Sequence, residues 1–318
     1  MYKFNFIIIG ILFFTVTLIV GCKKSQNDET IFFGIAQKPQ TLDPRFSSDA
    51  ASERLSKLIY TPLIFFNEDF TIRSNLVKTK KISSKKYNFT VIGNPPKFHN
   101  GTPLDIDDII STIKHLMQSS ASPYSKELKI ISAINKISSN EFEILLKKTD
   151  HNFLSKLSFS ILPKTHIDSG HSFATQPIGS GPFEFISNKP NIQIRRILDN
   201  QLFELVEIKD PTVRVLKLVN AEIDIIQNDL PLELINYLTE QSDINHQLKK
   251  GVNVSYIGFN FMDPLLKNHN FRKALAMSID CASIAKYFFN TKTRIAQQIL
   301  PPEHWASQDI QGIEYNPN

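Results

Sequence analysis

Cysteine is nearly absent from this chain: Cys22 and Cys281 are the two among 318 residues. Because Cys22 closes an apolar leader, Cys281 has no intramolecular partner and no disulfide framework is expected. A concentrated block of one charge is also missing. Net charge is +5, and the lysines are interleaved with acids in KKISSKKYNF and EFEILLKKTD. Nucleic-acid proteins gather basic residues on one element with aromatics between them, so that class is not expected. No Gly/Ser or Pro-rich linker divides the body, and no repeat of solenoid period occurs. The motifs of common catalysis are absent too: no Gly-x-Ser-x-Gly elbow, His-Glu-x-x-His, Walker loop or Cys-x-x-Cys. The turn Gly179-Ser180-Gly181-Pro182 would make a poor phosphate cradle, since Pro182 has no N–H to offer.

What is present is enough chain for two lobes with hydrophobic cores. With 42% hydrophobic and 21% charged residues the composition is that of a globular protein. At the N-terminus, Lys3 precedes an apolar run from Phe6 to Val20 that ends in Gly21 and Cys22. Ile19-Val20-Gly21-Cys22 resembles a bacterial lipobox, in which the cysteine carries the lipid; a plain transmembrane anchor is the alternative. Either way the body is expected to be exported and tethered through KKSQNDET.

Along that body, strand candidates alternate with amphipathic helices: IFFGIA, SERLSKLIY, KYNFTVI, EFEILL, FEFIS, IQIRRIL, LFELVEI, a helix over Pro211 to Val219, EIDII, and a helix after Pro231. VSYIGFNF reads as a further strand, followed by helices in NFRKALAMSI and ASIAKYFF. This order favours an α/β architecture. The stretch KFHNGTPLDIDDI places His99 beside Asp105, Asp107 and Asp108, which invites a metal or acid–base reading. Apolar residues at Ile106, Ile109, Ile110, Ile113 and Met117, however, mark one face of a helix that begins there. Asp105 then sits at the N-cap and Asp108 at the capping-box position, and both acids after the cap complement the helix dipole. Capping is therefore expected, and no metal ligands are assigned here. His166 and His171 at i, i+5 lack a third ligand nearby in sequence. Arg195 and Arg196 read as one arginine on each face of a strand.

The same stretch, FHNGTPLDIDDI, resembles the Phe-His-Asp-Gly-Thr-Pro signature of the family 5 extracellular solute-binding proteins, the peptide receptors of ABC importers. TLDPRFSSDAASERLSKLIYTPLIFF, ASPY (Ala121 to Tyr124), GSGPFEF (Gly179 to Phe185), NAEIDIIQNDLPLELINYL and YIGFNFMDPLLKNHNFRKALAMSID resemble further family segments in the family's order. The oligopeptide-binding branch is the best fit. Departures occur at Ser74, where the family has Pro, in the shortened stretch between Ile194 and Glu207, and at Cys281, which replaces a common Arg. Family members also continue past the position of the final PPEHWASQDIQGIEYNPN.

The resemblance implies an α/β, two-lobed fold of the periplasmic-binding-protein type II, with its second lobe incomplete, closing on an extended peptide. It divides the chain into a signal peptide (1–22), a tether (23–30), a first lobe (31–255, with an inserted subdomain at about 63–160) and part of a second lobe (256–318). Carried over by motif, Ser48 and Asp49 would lie at the cleft edge, or simply cap a helix. Tyr124 would offer a ring and hydroxyl to the ligand, or pack in the core. Asn228 and Asp229 would meet the peptide before Pro231, or cap. Tyr256 and Asn260 would line the hinge side, or fill space. The implied partners are an oligopeptide, importer permease subunits and, through lipidated Cys22, a bacterial membrane, with the protein monomeric in the periplasm or at the cell surface. No cofactor is implied, although the wider family also carries nickel, haem and other small ligands. The rival expectation is a truncated relative that no longer binds, a remnant or one half of a split gene.

Overall fold

The computed structural model describes residues 30–227, 230–249, 251–289 and 293–317. The described chain opens with β1 (Ile31–Ile35) and helix α1 (Ala50–Ile59). A short ribbon of β2 (Phe65–Phe66) and β3 (Ile72–Arg73) leads to β4 (Val77–Ser83) and β5 (Lys86–Val91). Helix α2 (Ile106–Gln118) and the single turn α3 (Ser125–Leu128) precede β6 (Ile131–Lys136), β7 (Glu141–Leu146) and α4 (Lys164–Asp168). Then come β8 (Phe183–Ser187), β9 (Ile192–Arg196), β10 (Leu202–Glu207), α5 (Pro211–Val219), β11 (Ile225–Ile226) and α6 (Leu232–Thr239). Three helices follow: α7 (Pro264–Lys267), α8 (His269–Met277) and α9 (Cys281–Phe289).

The strands form two main sheets. One is five-stranded in the order β11-β1-β10-β9-β8, with β1 parallel to both neighbours and β8, β9 and β10 antiparallel. The other is antiparallel, in the order β4-β5-β7-β6. Each has its own core. In the four-stranded sheet, Phe89 and Phe142 face each other across β5 and β7 with their rings stacked at 4.8 Å. Against them α2 lays Ile106, Ile109, Ile110, Ile113 and Leu116, all buried. The stripe read from the sequence is therefore the core face of that helix. In the five-stranded sheet, Ile192, Ile194 and Leu205 pack under Leu55, Ile59 and Tyr60 of α1 and its C-terminal end.

The turn Gly179–Pro182 joins the two cores. Gly181 donates its N–H to Ile59 O at 2.8 Å, and Thr61 Oγ1 donates to Ser180 O at 2.7 Å. A Cβ on Gly179 would stand 1.9 Å from Ile59 O, and one on Gly181 would stand 2.5 Å from Leu58 O. Glycine is needed here for close approach of two backbones, not for a left-handed conformation. Since the Gly181 N–H is already spent on Ile59, the turn cannot act as an anion cradle.

Beyond Gly251 the chain differs in kind. None of the described residues from 251 to 317 is buried, and VSYIGFNF, expected as a strand, has no regular structure. Its composition suits a strand, but among the described residues no strand pairs with it, and Asn260 C=O accepts from Asp263 N–H at 3.1 Å in a local turn. A strand without a partner gains nothing from its propensity.

Candidate functional site

Parallel strands bring the loops at their carboxyl ends together, and in open α/β sheets ligands bind in the crevice outside those ends. Here β1 ends at Ile35, β10 at Glu207 and β11 at Ile226, side by side. Lys38 N–H, just past β1, donates to Glu207 Oε1 at 3.1 Å, which joins two of these loops. The loop after β1 carries Ser48 and Asp49. The segment after β11 runs through Gln227 towards Asn228 and Asp229, which lie outside the described residues. Beside β11, an edge of the sheet, runs a groove of about 980 Å³ lined by Ile225, Ile226, Gln227, Leu230, Leu238 and Leu248, among others.

Asp49 caps α1. Its Oδ1 accepts from Ala51 N–H at 3.1 Å and Ser52 N–H at 2.9 Å, and its Oδ2 accepts from Ser52 Oγ at 2.5 Å. Burial works against its charge, yet the hydrogen bonds from Ser52, Gln40 and Ala51 outweigh it and hold the carboxyl below its ordinary value. Ser48 beside it is exposed. Tyr124 is half-buried, its ring packed against the first core and edge-on to Phe159 at 5.8 Å. Burial raises its hydroxyl pKa, and the charge of Glu53 in the first turn of α1 raises it further. Tyr256 and Asn260 are not drawn into this group. Tyr256 is 83% exposed, and Asn260 Oδ1 accepts from Met262 N–H at 3.0 Å in a local turn. Cys22 lies outside the described residues.

A cluster that sequence reasoning missed underpins the β1–α1 loop. Asp43, 4% exposed, accepts from Arg45 Nε at 2.9 Å and from Arg45 NH2 at 2.6 Å. Arg45 NH1 lies 2.9 Å from His115 Nε2 on α2. The guanidinium also stacks over Phe173 and Phe46, at 5.0 and 5.3 Å from their ring centres. Asp43 and Arg45 are two residues apart, but His115 stands 70 residues from Arg45.

The residues that invited a catalytic reading have structural roles. Asp105 and Asp108 form the expected capping box on α2. Asp108 accepts from Asp105 N–H at 2.9 Å and also from Lys164 N–H at 2.7 Å, fastening α4 to α2. Asp107 pairs with Lys136 at 2.8 Å. His99 makes its hydrogen bonds to backbone carbonyls: its backbone N–H donates to Gly179 O at 2.8 Å, and its Nε2 meets Gly181 O at 3.0 Å. Burial lowers its pKa. His166 and His171 stand ring to edge at 5.1 Å. Among the described residues no three of His, Cys, Asp or Glu gather as metal ligands. Arg195 pairs across the sheet with Glu184 at 2.5 Å and Arg196 with Asp199 at 2.7 Å.

Comparison with known proteins bears on the family and the fold. The family model described as bacterial extracellular solute-binding proteins, family 5 Middle, matches residues 94–318. Heme-binding protein A of Haemophilus influenzae is 26% identical over 92% of this chain and 61% of its own length. Oligopeptide-binding protein AppA of Bacillus subtilis is 25% identical, over 92% and 58%. The crystal structure of AppA with a nonapeptide superposes with a TM-score of 0.75 and 22% identity, covering 92% of this chain and 63% of that one. The chain thus has the two-lobed α/β fold of those binding proteins across part of their extent, and spans about three fifths of the length of these curated relatives.

Proposed function

Because the chain belongs to the bacterial extracellular solute-binding proteins of family 5, we propose that it is a receptor that captures oligopeptides and delivers them to an ABC importer, without catalysis of its own. The observation that supports this reading is the convergence of loops at the carboxyl ends of β1, β10 and β11, where Asp49 caps α1 with Ser48 exposed beside it. Such an edge offers backbone groups to an extended chain, and backbone pairing gives affinity with little side-chain preference. Bridging water then adapts the pockets to varied side chains. On this reading residues 31–255 form the first lobe, with the subdomain at about 63–160 inserted in it, and 256–318 contribute to the second. Ser48, Asp49, Tyr124, Asn228 and Asp229 face the ligand, and Tyr256 and Asn260 line the hinge side. Lipidation at Cys22 holds the monomer at a bacterial membrane, in the periplasm or at the cell surface.

Two observations favour rivals. Heme-binding protein A is as similar in sequence as AppA, which makes haem the alternative ligand. The absence of any buried residue among the described positions 251–317 favours a chain that holds no ligand, since uncovered apolar surface weakens a lobe. Calorimetric titration with a nonapeptide and, separately, with haem tests all three. Saturable heat with the peptide is expected; binding of haem alone transfers the reading to haem, and heat with neither ligand supports the non-binding chain.

A further inference from the structure

The Asp43–Arg45–His115 cluster has a property that the receptor reading does not require. Every N–H of a guanidinium is a donor, so the 2.9 Å approach of Arg45 NH1 obliges His115 Nε2 to accept. The imidazole is therefore neutral, with its proton on Nδ1. Asp43, the other charged neighbour of the ring, is held by Arg45. Its two oxygens are already engaged by Arg45 Nε, Arg45 NH2 and the Arg45 N–H, the last at 3.0 Å. A further titratable group beside this cluster is Tyr60, at the end of α1, whose buried hydroxyl donates to Leu42 O at 3.1 Å. On the far side His171 stands edge-on to Phe173 at 5.0 Å.

We propose that His115 is an acid-sensitive latch: its protonation breaks the bond to Arg45 and frees the loop 43–49 from α2. The consequence passes along the loop by hydrogen bonds. Asp43 O accepts from Phe46 N–H at 3.2 Å and Ser47 Oγ at 3.3 Å, and Ser47 Oγ meets Ser56 Oγ on α1 at 3.1 Å. Ser48 and Asp49 come next, so the loop that loosens is the one placed at the carboxyl edge of the sheet. Burial first, and then the charge of Arg45, lower the His115 pKa, while Asp43 works in the opposite direction. The sign follows. A histidine whose folded value lies below its unfolded one contributes its full stability above the ordinary value of 6.5. It loses that contribution as pH falls through the folded value. That the latch also governs ligand release rests on the receptor reading above.

The test is hydrogen exchange of the ligand-free protein over residues 41–56, at about pH 7.5 and about pH 5.5, with intrinsic rates corrected. Protection is expected to fall with acid by up to about tenfold per pH unit, the limit for one coupled proton. In His115→Gln, which supplies an acceptor that does not titrate, the acid loss should vanish. Equal protection at both pH values, or the same acid loss in His115→Gln, overturns the latch. Should that variant not fold, the proton titration of His115 in the unaltered protein decides, with a midpoint at or above the ordinary histidine value contradicting the proposal. A nonapeptide titration at the same two pH values separates the two readings. Acid release of the loop with no peptide binding at either pH supports the latch and removes the receptor, whereas peptide binding with an acid-insensitive loop does the reverse.

Discussion

Asp49 serves two readings at once, and a single substitution separates them. As a cap it needs only an oxygen that accepts from Ala51 and Ser52; as a ligand contact it would use its charge. Asp49→Asn keeps the acceptor and removes the charge, and Asn is as good an N-cap as Asp. Stability by urea denaturation should change by no more than about 0.5 kcal/mol. Peptide affinity should fall by about tenfold if the carboxylate meets the ligand's charge, given the roughly 1.5–3 kcal/mol of a charge-assisted hydrogen bond; unchanged affinity would leave the residue a cap and nothing more. At this scale sequence reading succeeds where the chemistry is local. Asp105 and Asp108 were readable as a capping box because their partners lie within three residues. Arg45 and His115 were not, because only tertiary packing brings α2 against the β1–α1 loop. Ser74 is a mixed case: its hydroxyl accepts from Leu76 and Val77 N–H at 3.0 Å in a local turn, but donates at 2.6 Å to Leu63 O, which lies 11 residues away.

Among elements, those with strong periodicity were the legible ones. The stripe of α2 and the alternation of β5, β7 and β9 identified them, since each buries one face. The strands β4 and β6 were missed, and their place explains it. They are the two edges of the four-stranded sheet, and of VKTKKIS in β4 only Val77 is buried. Polar edges of this kind carry lysines against unwanted pairing, which erases the hydrophobic signal. The opposite error occurred in VSYIGFNF, whose pattern suits a strand that has no neighbour among the described residues. The contact between the Gly179–Pro182 turn and α1 can be tested directly. Gly179→Ala places a Cβ 1.9 Å from Ile59 O, a backbone atom that cannot swing aside, and should cost about 3 kcal/mol. Gly93→Ala, with nothing within 4 Å of its Cβ, should change stability by less than about 1 kcal/mol, in the stabilising direction. Equal effects in urea denaturation would contradict the close-approach account of the turn.

For the molecule as a whole, the two-sheet body and the exposed segment after residue 250 set different expectations. The first has two cores that share Ile178 and should melt cooperatively. The second contributes large exposed apolar side chains such as Met262, Tyr287, Ile299 and Trp305, the kind of surface that lobe closure on a ligand would cover. Tethering belongs to this scale as well. Replacing Cys22 by Ser should move the protein from the membrane fraction to the soluble one if a lipid on that thiol is the anchor; unchanged partitioning would assign the anchor to the apolar run from Phe6 to Val20 itself. The most direct measurement of the central claim is thermal unfolding of the protein lacking residues 1–22, with and without a pool of short peptides. A peptide at a hundred times its Kd adds about 2.7 kcal/mol to a state that binds it, which raises the midpoint by several degrees for a domain of this size. The receptor account predicts a cooperative transition that shifts upward with peptide. A transition that stays in place at saturating peptide would contradict it.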